Sequence, residues 1–219
     1  MDNEQLTIDL PALQALAEQL LKPRKAHIDR EKGGIYYHGQ RVANTALLLR
    51  RAILPEDGAY DGVLTVAAWF HDIGKNIEPH ARYGALLARE ALREHCSAGE
   101  LDEICEMISL HCDRRPGDNG YAPAVRLLQD ADMVDHFGSY VLWMDIWHSA
   151  SREGTWQELA FFDEARWDAF CARHRALLNY PLSGNIFDEK AAFVNAVYAR
   201  MRVECVGGIA GLDDLKEPE

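Results

Sequence analysis

Several features that mark membrane, secreted or nucleic-acid-binding proteins are missing from the sequence. Its 219 residues contain no run of about 18 or more apolar residues, which a membrane-spanning helix requires. The first residues, MDNEQLTIDL, carry acids where a secretory signal peptide has Lys or Arg, and no apolar run follows them. We therefore expect a cytoplasmic protein.

An excess of basic residues is also missing. The chain has 23 Lys and Arg residues against 35 Asp and Glu residues, for a net charge of −12. This balance argues against broad electrostatic binding to DNA, RNA or an anionic membrane. We expect no nucleic acid polymer and no membrane as a partner. A small phosphate ester remains compatible, because metal ions and a few arginines can form a local positive pocket.

Cysteine is sparse, with five residues, and no CxxC pair occurs. An odd number without such a pair favours reduced thiols over a disulfide framework. Four of the five fall within helical patterns and are interpreted as small apolar core residues: Cys96, Cys105, Cys112 and Cys171.

Strand-like alternation is nearly absent, and apolar residues repeat with helical spacing over most of the chain. Capping boxes at Ser97–Glu100 and Thr155–Glu158 indicate two helix starts. The patterns predict an all-α protein with helices at about 9–22, 38–54, 61–73, 80–95, 98–111, 124–137, 155–178 and 187–204.

Side chains that can bind metals lie on the inward faces or at the ends of these helices. His71 and Asp72 follow an apolar stretch, and His111 continues the apolar stripe of its helix. His38 and His80 stand at the N-terminal ends of two further helices, and His80 faces inward. Imidazole nitrogens with carboxylate oxygens form a ligand set for Mn, Fe, Zn, Ni or Mg.

The predicted helix at 124–137 adds a carboxylate to this set. Asp132 and Asp135 lie on or at the edge of its apolar face, whereas Asp130 lies off that face. A buried carboxylate is costly unless a metal ion, a base or hydrogen bonds compensate for it. Periodicity does not choose between Asp132 and Asp135, so the last ligand is an Asp near position 132.

Three short stretches together resemble the HD superfamily of metal-dependent phosphohydrolases: His38 with Arg41-Val42, the run His71-Asp72-Ile73-Gly74-Lys75, and Gln129-Asp130-Ala131-Asp132. The resemblance covers roughly residues 25–140 and implies an HD-domain helical bundle, in agreement with the helical patterns. We expect a single HD domain over residues 1–219, with a core at about 25–140 and a helical C-terminal extension at 141–205. That extension is expected to shape the pocket or to form a homodimer contact.

The resemblance also implies a metal site. It assigns a first metal ion to His38, His71, Asp72 and Asp132. Two further histidines occupy positions where binuclear members of the superfamily have extra ligands; they are His80 and His111. Such members include di-iron diadenosine polyphosphate hydrolases and HD-GYP cyclic dinucleotide phosphodiesterases. The expected cofactor is one or two divalent ions (Fe, Mn, Ni, Co, Zn or Mg), with two favoured, and Asp72 lies between them.

The activity implied by the resemblance is hydrolysis of a phosphomonoester or phosphodiester of a nucleotide or similar small metabolite, by hydroxide that the metal activates. Asp72 and Lys75 are the expected catalytic residues. Arg41, Arg114 and Arg115 are candidates for binding substrate phosphate. Lys75 is also compatible with a simple helix cap, and Arg114 and Arg115 with solvated loop charges.

Two other functions fit the same ligands. One is a di-iron oxygenase of the HD type, which oxygen consumption would reveal. The other is a metal-binding or nucleotide-binding module without turnover, which would bind a ligand and release no product.

Overall fold

A computed structural model describes residues 8–27, 30–117 and 119–211. Within these ranges the protein is helical and forms no β-strand, so the predicted all-α class is confirmed. None of the described helices has the length and hydropathy to cross a membrane. The helices are α1 (Leu10–Leu21), α2 (Gly34–Ile53), α3 (Asp61–Phe70), α4 (His80–Leu92), α5 (Ala98–Leu110), α6 (Pro123–Asp135), α7 (Ser139–Ala150), α8 (Glu164–Arg175) and α9 (Pro181–Glu204).

Most predicted helices in the first 135 residues are confirmed, with shifted ends. The helix predicted at 38–54 starts earlier, at Gly34, and the last one starts at Pro181 rather than 187. The capping box before α5 is present, since Ser97 N–H donates to Glu100 Oε2 at 2.8 Å and Glu100 N–H donates to Ser97 Oγ.

The prediction for residues 139–178 is wrong in two ways. The helix α7 was not expected at all. The capping box at Thr155 and Glu158 is present, but it caps the start of only a short 3₁₀ turn, Trp156–Glu158. A new helix, α8, then begins at Glu164, where the Asp163 side chain accepts a hydrogen bond from the Arg166 N–H.

The chain divides into two compact units. Among the described residues, the first comprises those up to 135 and 177–184, and the second comprises those at 136–176 and from 185 onwards. The first unit contains nearly all of the predicted core at 25–140, and the expectation of one domain over the whole chain stays a prediction.

In the first unit, α3 is the central helix and contacts α1, α2, α5 and α6. Its residues Leu64, Val66, Ala67, Ala68 and Phe70 are fully buried. Such an apolar helix gains free energy from burial on all sides, so it carries its C-terminal end into the middle of the unit.

Two glycines allow close backbone approaches around this end of α3. A Cβ atom on Gly39 of α2 would lie 2.8 Å from the Trp69 carbonyl oxygen, and one on Gly74 would lie 2.3 Å from the His80 carbonyl oxygen. Neither position therefore accommodates a larger residue without movement of the backbone. These contacts bring α2 against the last turn of α3, and the start of α4 against the turn that follows α3.

The second unit has an aromatic core. Phe137 lies 4.2 Å from Phe187 and 6.0 Å from Trp167 between ring centroids, and Trp167 lies 6.3 Å from Tyr198. Among the residues of this unit that the structure describes, one carboxylate is buried, that of Asp145. It accepts hydrogen bonds from the Tyr198 hydroxyl and from two backbone N–H groups.

Candidate metal centre

The structure brings all six predicted ligand residues together at one place in the first unit. We call this group the histidine–aspartate cluster: His38, His71, Asp72, His80, His111 and Asp132. All are buried except His80, which is partly exposed. A group of six such side chains in a protein interior requires compensation that apolar packing does not supply.

Helix ends supply most of the cluster. His71 and Asp72 lie in the turn after α3, His111 follows α5, and His80 is the first residue of α4. Helix ends leave backbone groups without intrahelical partners, and these groups are available to orient side chains.

Three imidazoles are held by their Nδ1 atoms. His71 Nδ1 donates to the Ala68 carbonyl at 2.8 Å, and His111 Nδ1 donates to the Ile108 carbonyl at 2.7 Å. His38 Nδ1 lies 2.7 Å from an oxygen of Asp135. The carbonyls fix the proton on Nδ1 of His71 and His111, so a neutral ring presents a lone pair on Nε2 to the cluster, and Asp135 orients His38 in the same way.

The first subsite lies on one side of Asp72. His38 Nε2 is 3.0 Å from Asp132 Oδ1 and 3.2 Å from His71 Nε2. Asp72 Oδ2 is 3.8 Å from His71 Nε2 and 4.0 Å from His38 Nε2. The Nε2 atoms of His38 and His71 therefore each lie within 3.0 to 4.0 Å of oxygens of both carboxylates.

The second subsite lies on the other side of Asp72. Its other carboxylate oxygen, Oδ1, is 3.6 Å from His80 Nε2 and 3.6 Å from His111 Nε2. The two oxygens of one carboxylate thus face two separate pairs of imidazoles. This arrangement fits a carboxylate that bridges two ions.

The spacing fits divalent metal ions. Ligand atoms at about 2.0–2.2 Å from a shared ion lie roughly 3 to 4 Å from one another, which is the range observed here. Asp72 Oδ1 is also buried without accepting a hydrogen bond, although the Lys75 ammonium is 3.0 Å away. A buried carboxylate oxygen without such a bond is rare and is a reason to expect an ion.

Comparison with known proteins agrees with this geometry. Residues 35–136, which run from α2 to the end of α6, match the model of the HD domain family. Over this segment the chain is similar to the HD superfamily, as the sequence motifs predict. None of the curated proteins compared with it matches.

Solved structures show the same HD fold at low sequence identity. An HD-superfamily hydrolase from Bacillus thuringiensis aligns with a TM-score of 0.64 at 16% identity, over 90% of this chain and 96% of its own. A predicted HD superfamily hydrolase from an uncultured Thermotogales bacterium has a TM-score of 0.59 at 17% identity, over 90% and 94%. Bacillus subtilis YpgQ in complex with ADP has a TM-score of 0.59 at 15% identity, over 90% and 98%.

Within the segment that matches the HD domain model, Asp132 and Asp135 have different positions. Asp132 belongs to the first subsite. Asp135, one turn later, contacts Nδ1 of His38 on the side of the ring away from that subsite. Asp135 is itself held by Arg41, whose Nε and one terminal nitrogen each donate to it at 2.8 Å. The Arg41 side chain, a candidate for binding substrate, is therefore engaged in a forked ion pair with Asp135.

The prediction that Asp130 lies off the apolar face is wrong. Asp130 is fully buried and accepts hydrogen bonds from the backbone N–H groups of Asn179 and Tyr180. It contributes nothing to the cluster, and its burial raises its pKa. Backbone donors satisfy this carboxylate, so its role is structural.

The three remaining candidates differ in their distance from the cluster. Lys75 Nζ is 3.0 Å from Asp72 Oδ1 and 3.2 Å from His80 Nε2. Arg114 pairs with Asp132 and is mostly buried. Arg115 is exposed and forms a forked pair with Asp113, so it lies outside the cluster.

The charges of the cluster influence one another. Burial raises the pKa of Asp72, but His71, His111 and Lys75 lower it well below its usual range. Burial lowers the pKa of His38, but Asp132 and Asp135 raise it to about 9. Without a metal ion, His38 is therefore protonated at neutral pH and its Nε2–H donates to Asp132.

One residue of the site was missed by the sequence patterns. Cys112 was interpreted as a core residue, whereas it is exposed, and its Sγ lies 3.1 Å from His111 Nε2 and 3.3 Å from His80 Nε2. Cys96 and Cys105 are buried as expected, and Cys171 is half-buried. The signal for Cys112 was its place directly after His111, as Asp72 directly follows His71.

Proposed function

We propose that this HD-superfamily protein is a metal-dependent phosphohydrolase that acts on a nucleotide or a similar small phosphorylated metabolite. One observation carries the proposal. The two oxygens of Asp72 face two separate pairs of imidazole Nε2 atoms, and three of these four rings are fixed through Nδ1. We further propose two ions, one in each subsite.

The residues of the first subsite are His38, His71, Asp72 and Asp132, and those of the second include His80, His111 and Asp72. Bound divalent ions supply a Lewis acid for a phosphoryl oxygen and water of lowered pKa at neutral pH. The protein supplies fixed ligand positions. His71 and His111 are held by backbone carbonyls and His38 by Asp135, so few side chains need to move when the ions bind.

The balance of charged side chains around the cluster favours a substrate whose binding depends on metal ions. Three carboxylates in and beside the cluster face three cationic side chains, and the six are Asp72, Asp132, Asp135, Arg41, Lys75 and Arg114. These charges cancel, so the positive charge that attracts a phosphate comes mainly from the ions.

Lys75 is the side chain best placed to assist the reaction. Its ammonium lies beside Asp72 and is partly exposed, so it can also reach a phosphate oxygen at the second subsite. We propose that it neutralises charge on the substrate phosphate or the leaving group. Arg114, paired with Asp132, is the second cation able to contact a phosphate. Arg115 and Arg41 are less suitable, because their guanidinium groups are engaged by Asp113 and Asp135.

The nucleotide assignment has one external support. YpgQ, which shares the fold, was crystallised with ADP. We therefore propose a nucleoside phosphate as the first class of substrate to test.

The test combines metal analysis with a hydrolysis screen. The protein is loaded separately with Mn, Fe, Co or Mg and incubated with a panel of nucleotides and simple phosphate esters, while phosphate release is measured. His80→Ala should reduce turnover, and His95→Ala is the matched control, since His95 is exposed and lies outside the cluster. A metal-loaded protein that releases no phosphate from any member of the panel would overturn the proposal, and oxygen consumption in its place would indicate an oxygenase.

A further inference from the structure

The turns after α3 and α5 have the same arrangement of side chains. Each helix ends one residue before a histidine, His71 or His111, whose Nδ1 donates to a backbone carbonyl three residues earlier. The next residue is Asp72 in the first turn and Cys112 in the second. Both of these side chains approach the Nε2 atoms of cluster histidines.

The sulfur of Cys112 lies where a ligand of the second subsite would lie. Its distances to His111 Nε2 and His80 Nε2 are 3.1 and 3.3 Å. A sulfur at about 2.3 Å and a nitrogen at about 2.0 Å from one zinc ion lie roughly 3.0 to 3.6 Å apart for bond angles of about 90–110°. The three side chains therefore have the spacing of ligands to a common ion.

A second observation in this subsite is independent of the thiol. Asp72 Oδ1, from a side chain that is 6% exposed, points into the subsite without accepting a hydrogen bond and lies 3.6 Å from both imidazole nitrogens. The carboxylate oxygen and the sulfur therefore each lie 3.1 to 3.6 Å from the same two imidazole nitrogens. The Lys75 ammonium, 3.0 Å from Oδ1, is the group with which an ion at this position would compete.

We propose that Cys112 binds the ion of the second subsite through its thiolate, together with His80, His111 and Asp72. This inference rests on the proposed metal centre and adds a ligand to it. When the ion binds, the sulfur–metal bond replaces the S–H bond and the proton leaves to solvent. A thiolate prefers Zn, Fe or Co over Mg or Mn, so the second subsite selects a softer ion than the first, which has only nitrogen and oxygen ligands.

Cobalt reconstitution tests the inference directly, because a thiolate bound to Co(II) gives an intense near-ultraviolet charge-transfer band that nitrogen and oxygen ligands do not give. We expect the band in the wild-type protein at two cobalt ions per chain, and its loss in Cys112→Ser. Cys205→Ser is the control, since Cys205 is half-buried in the other unit and its serine variant keeps a hydrogen-bond donor to the Arg202 carbonyl. The control should retain the band.

The outcomes separate this inference from the metal centre itself. Two bound cobalt ions without the band, or a band that survives in Cys112→Ser, would overturn the role of Cys112 and leave the metal centre intact. Failure to bind cobalt at all would overturn both.

Zinc affinity and alkylation provide measurements that do not depend on the spectrum. Cys112→Ser should weaken the affinity for the second zinc ion. The loss should be at least roughly 10–100-fold, which is the effect of removing a residue that only hydrogen-bonds to a metal ligand. Because Cys112 is exposed, iodoacetamide should modify it in the metal-free protein, and zinc should protect it. Equal modification with and without two bound zinc ions would contradict the proposal.

Discussion

Asp145 in the second unit and Asp72 in the first are almost equally buried, but their surroundings differ. Asp145 accepts hydrogen bonds from the Ala160 and Phe161 N–H groups at 2.8 and 3.2 Å and from the Tyr198 hydroxyl at 2.5 Å. Asp72 faces imidazole nitrogens and Lys75, and its Oδ1 accepts no hydrogen bond. Donors from the fold compensate for the first carboxylate, whereas the second has the surroundings of a metal ligand.

Asp130 shows that this difference does not simply distinguish the two units. It lies two residues before Asp132 in the first unit and, like Asp145, accepts hydrogen bonds from two backbone N–H groups. Burial of an acid is therefore not enough to indicate a site. The identity of the groups that face each oxygen decides whether the acid is structural or functional.

The largest expected effect is that of Asp72→Ala on turnover. Since Asp72 is the residue shared by both subsites, its loss should reduce phosphate release by more than the roughly 10–100-fold expected for an outer partner. Far-ultraviolet circular dichroism should still show a helical protein. Turnover within a few-fold of wild type would show that the assigned site is wrong.

Asp145→Ala should have the opposite profile. Removal of this carboxylate leaves two backbone N–H groups and one hydroxyl without a buried acceptor, at a cost of about 1–3 kcal/mol each. We expect a loss of at least about 3 kcal/mol in the free energy of unfolding, measured with urea, and unchanged metal content of the folded protein. Metal loss in the folded variant would show that Asp145, like Asp72, is needed for metal binding.

Asp135 lies between these extremes. Asp135→Ala removes the group that orients His38 and should lower the affinity of the first subsite for manganese or zinc by roughly 10–100-fold, as measured by titration calorimetry. The affinity of the second subsite should not change. If the variant is destabilised but binds both ions with wild-type affinity, Asp135 has a structural role like that of Asp145.

The pH dependence of metal binding has a defined sign. The pKa of His38 is raised to about 9 in the metal-free protein, so an ion must displace a proton at any lower pH. Affinity at the first subsite should therefore rise about tenfold per pH unit between pH 6 and 8 for this one proton, and should level off above about 9. Calorimetry in buffers of different ionisation enthalpy would count the released protons, and a count of zero at pH 7 would contradict the assignment.

The smallest expected effect is that of Tyr198→Phe. This change removes one donor to Asp145 and should cost about 1–2 kcal/mol in unfolding free energy, without effect on metal binding or turnover. Urea unfolding and metal analysis on the same samples would check both statements. A change in turnover would show that the second unit influences the site in a way that hydrogen bonding alone does not explain.

The sequence predicted the site better than it predicted the fold of the second unit. Helical spacing located His38, His71, His80 and His111 because each stands at or near the end of a helix whose apolar stripe is unambiguous. Helical periodicity did not predict which acidic residue of α6 belongs to the site. Every residue from 127 to 135 is buried, so no exposed face remains to distinguish Asp130, Asp132 and Asp135.

The missed helix α7 has a physical explanation. Its apolar residues Trp143 and Ile146 are exposed, whereas its acid, Asp145, is buried beside Val141, Leu142 and Met144, so polarity along this helix does not follow burial. The helix α8 buries only Trp167, and its periodic signal is correspondingly weak. In both cases the stabilising contacts come from residues distant in sequence, which spacing along one helix does not reveal.

The central proposal, that Asp72 would lie between two bound metal ions, is tested most directly by anomalous diffraction from crystals of the metal-loaded protein. Our account predicts two anomalous peaks, one beside Oδ2 with His38, His71 and Asp132, and one beside Oδ1 with His80, His111 and Cys112. A map with no peak at Asp72, or with peaks only at sites away from it, would contradict the account.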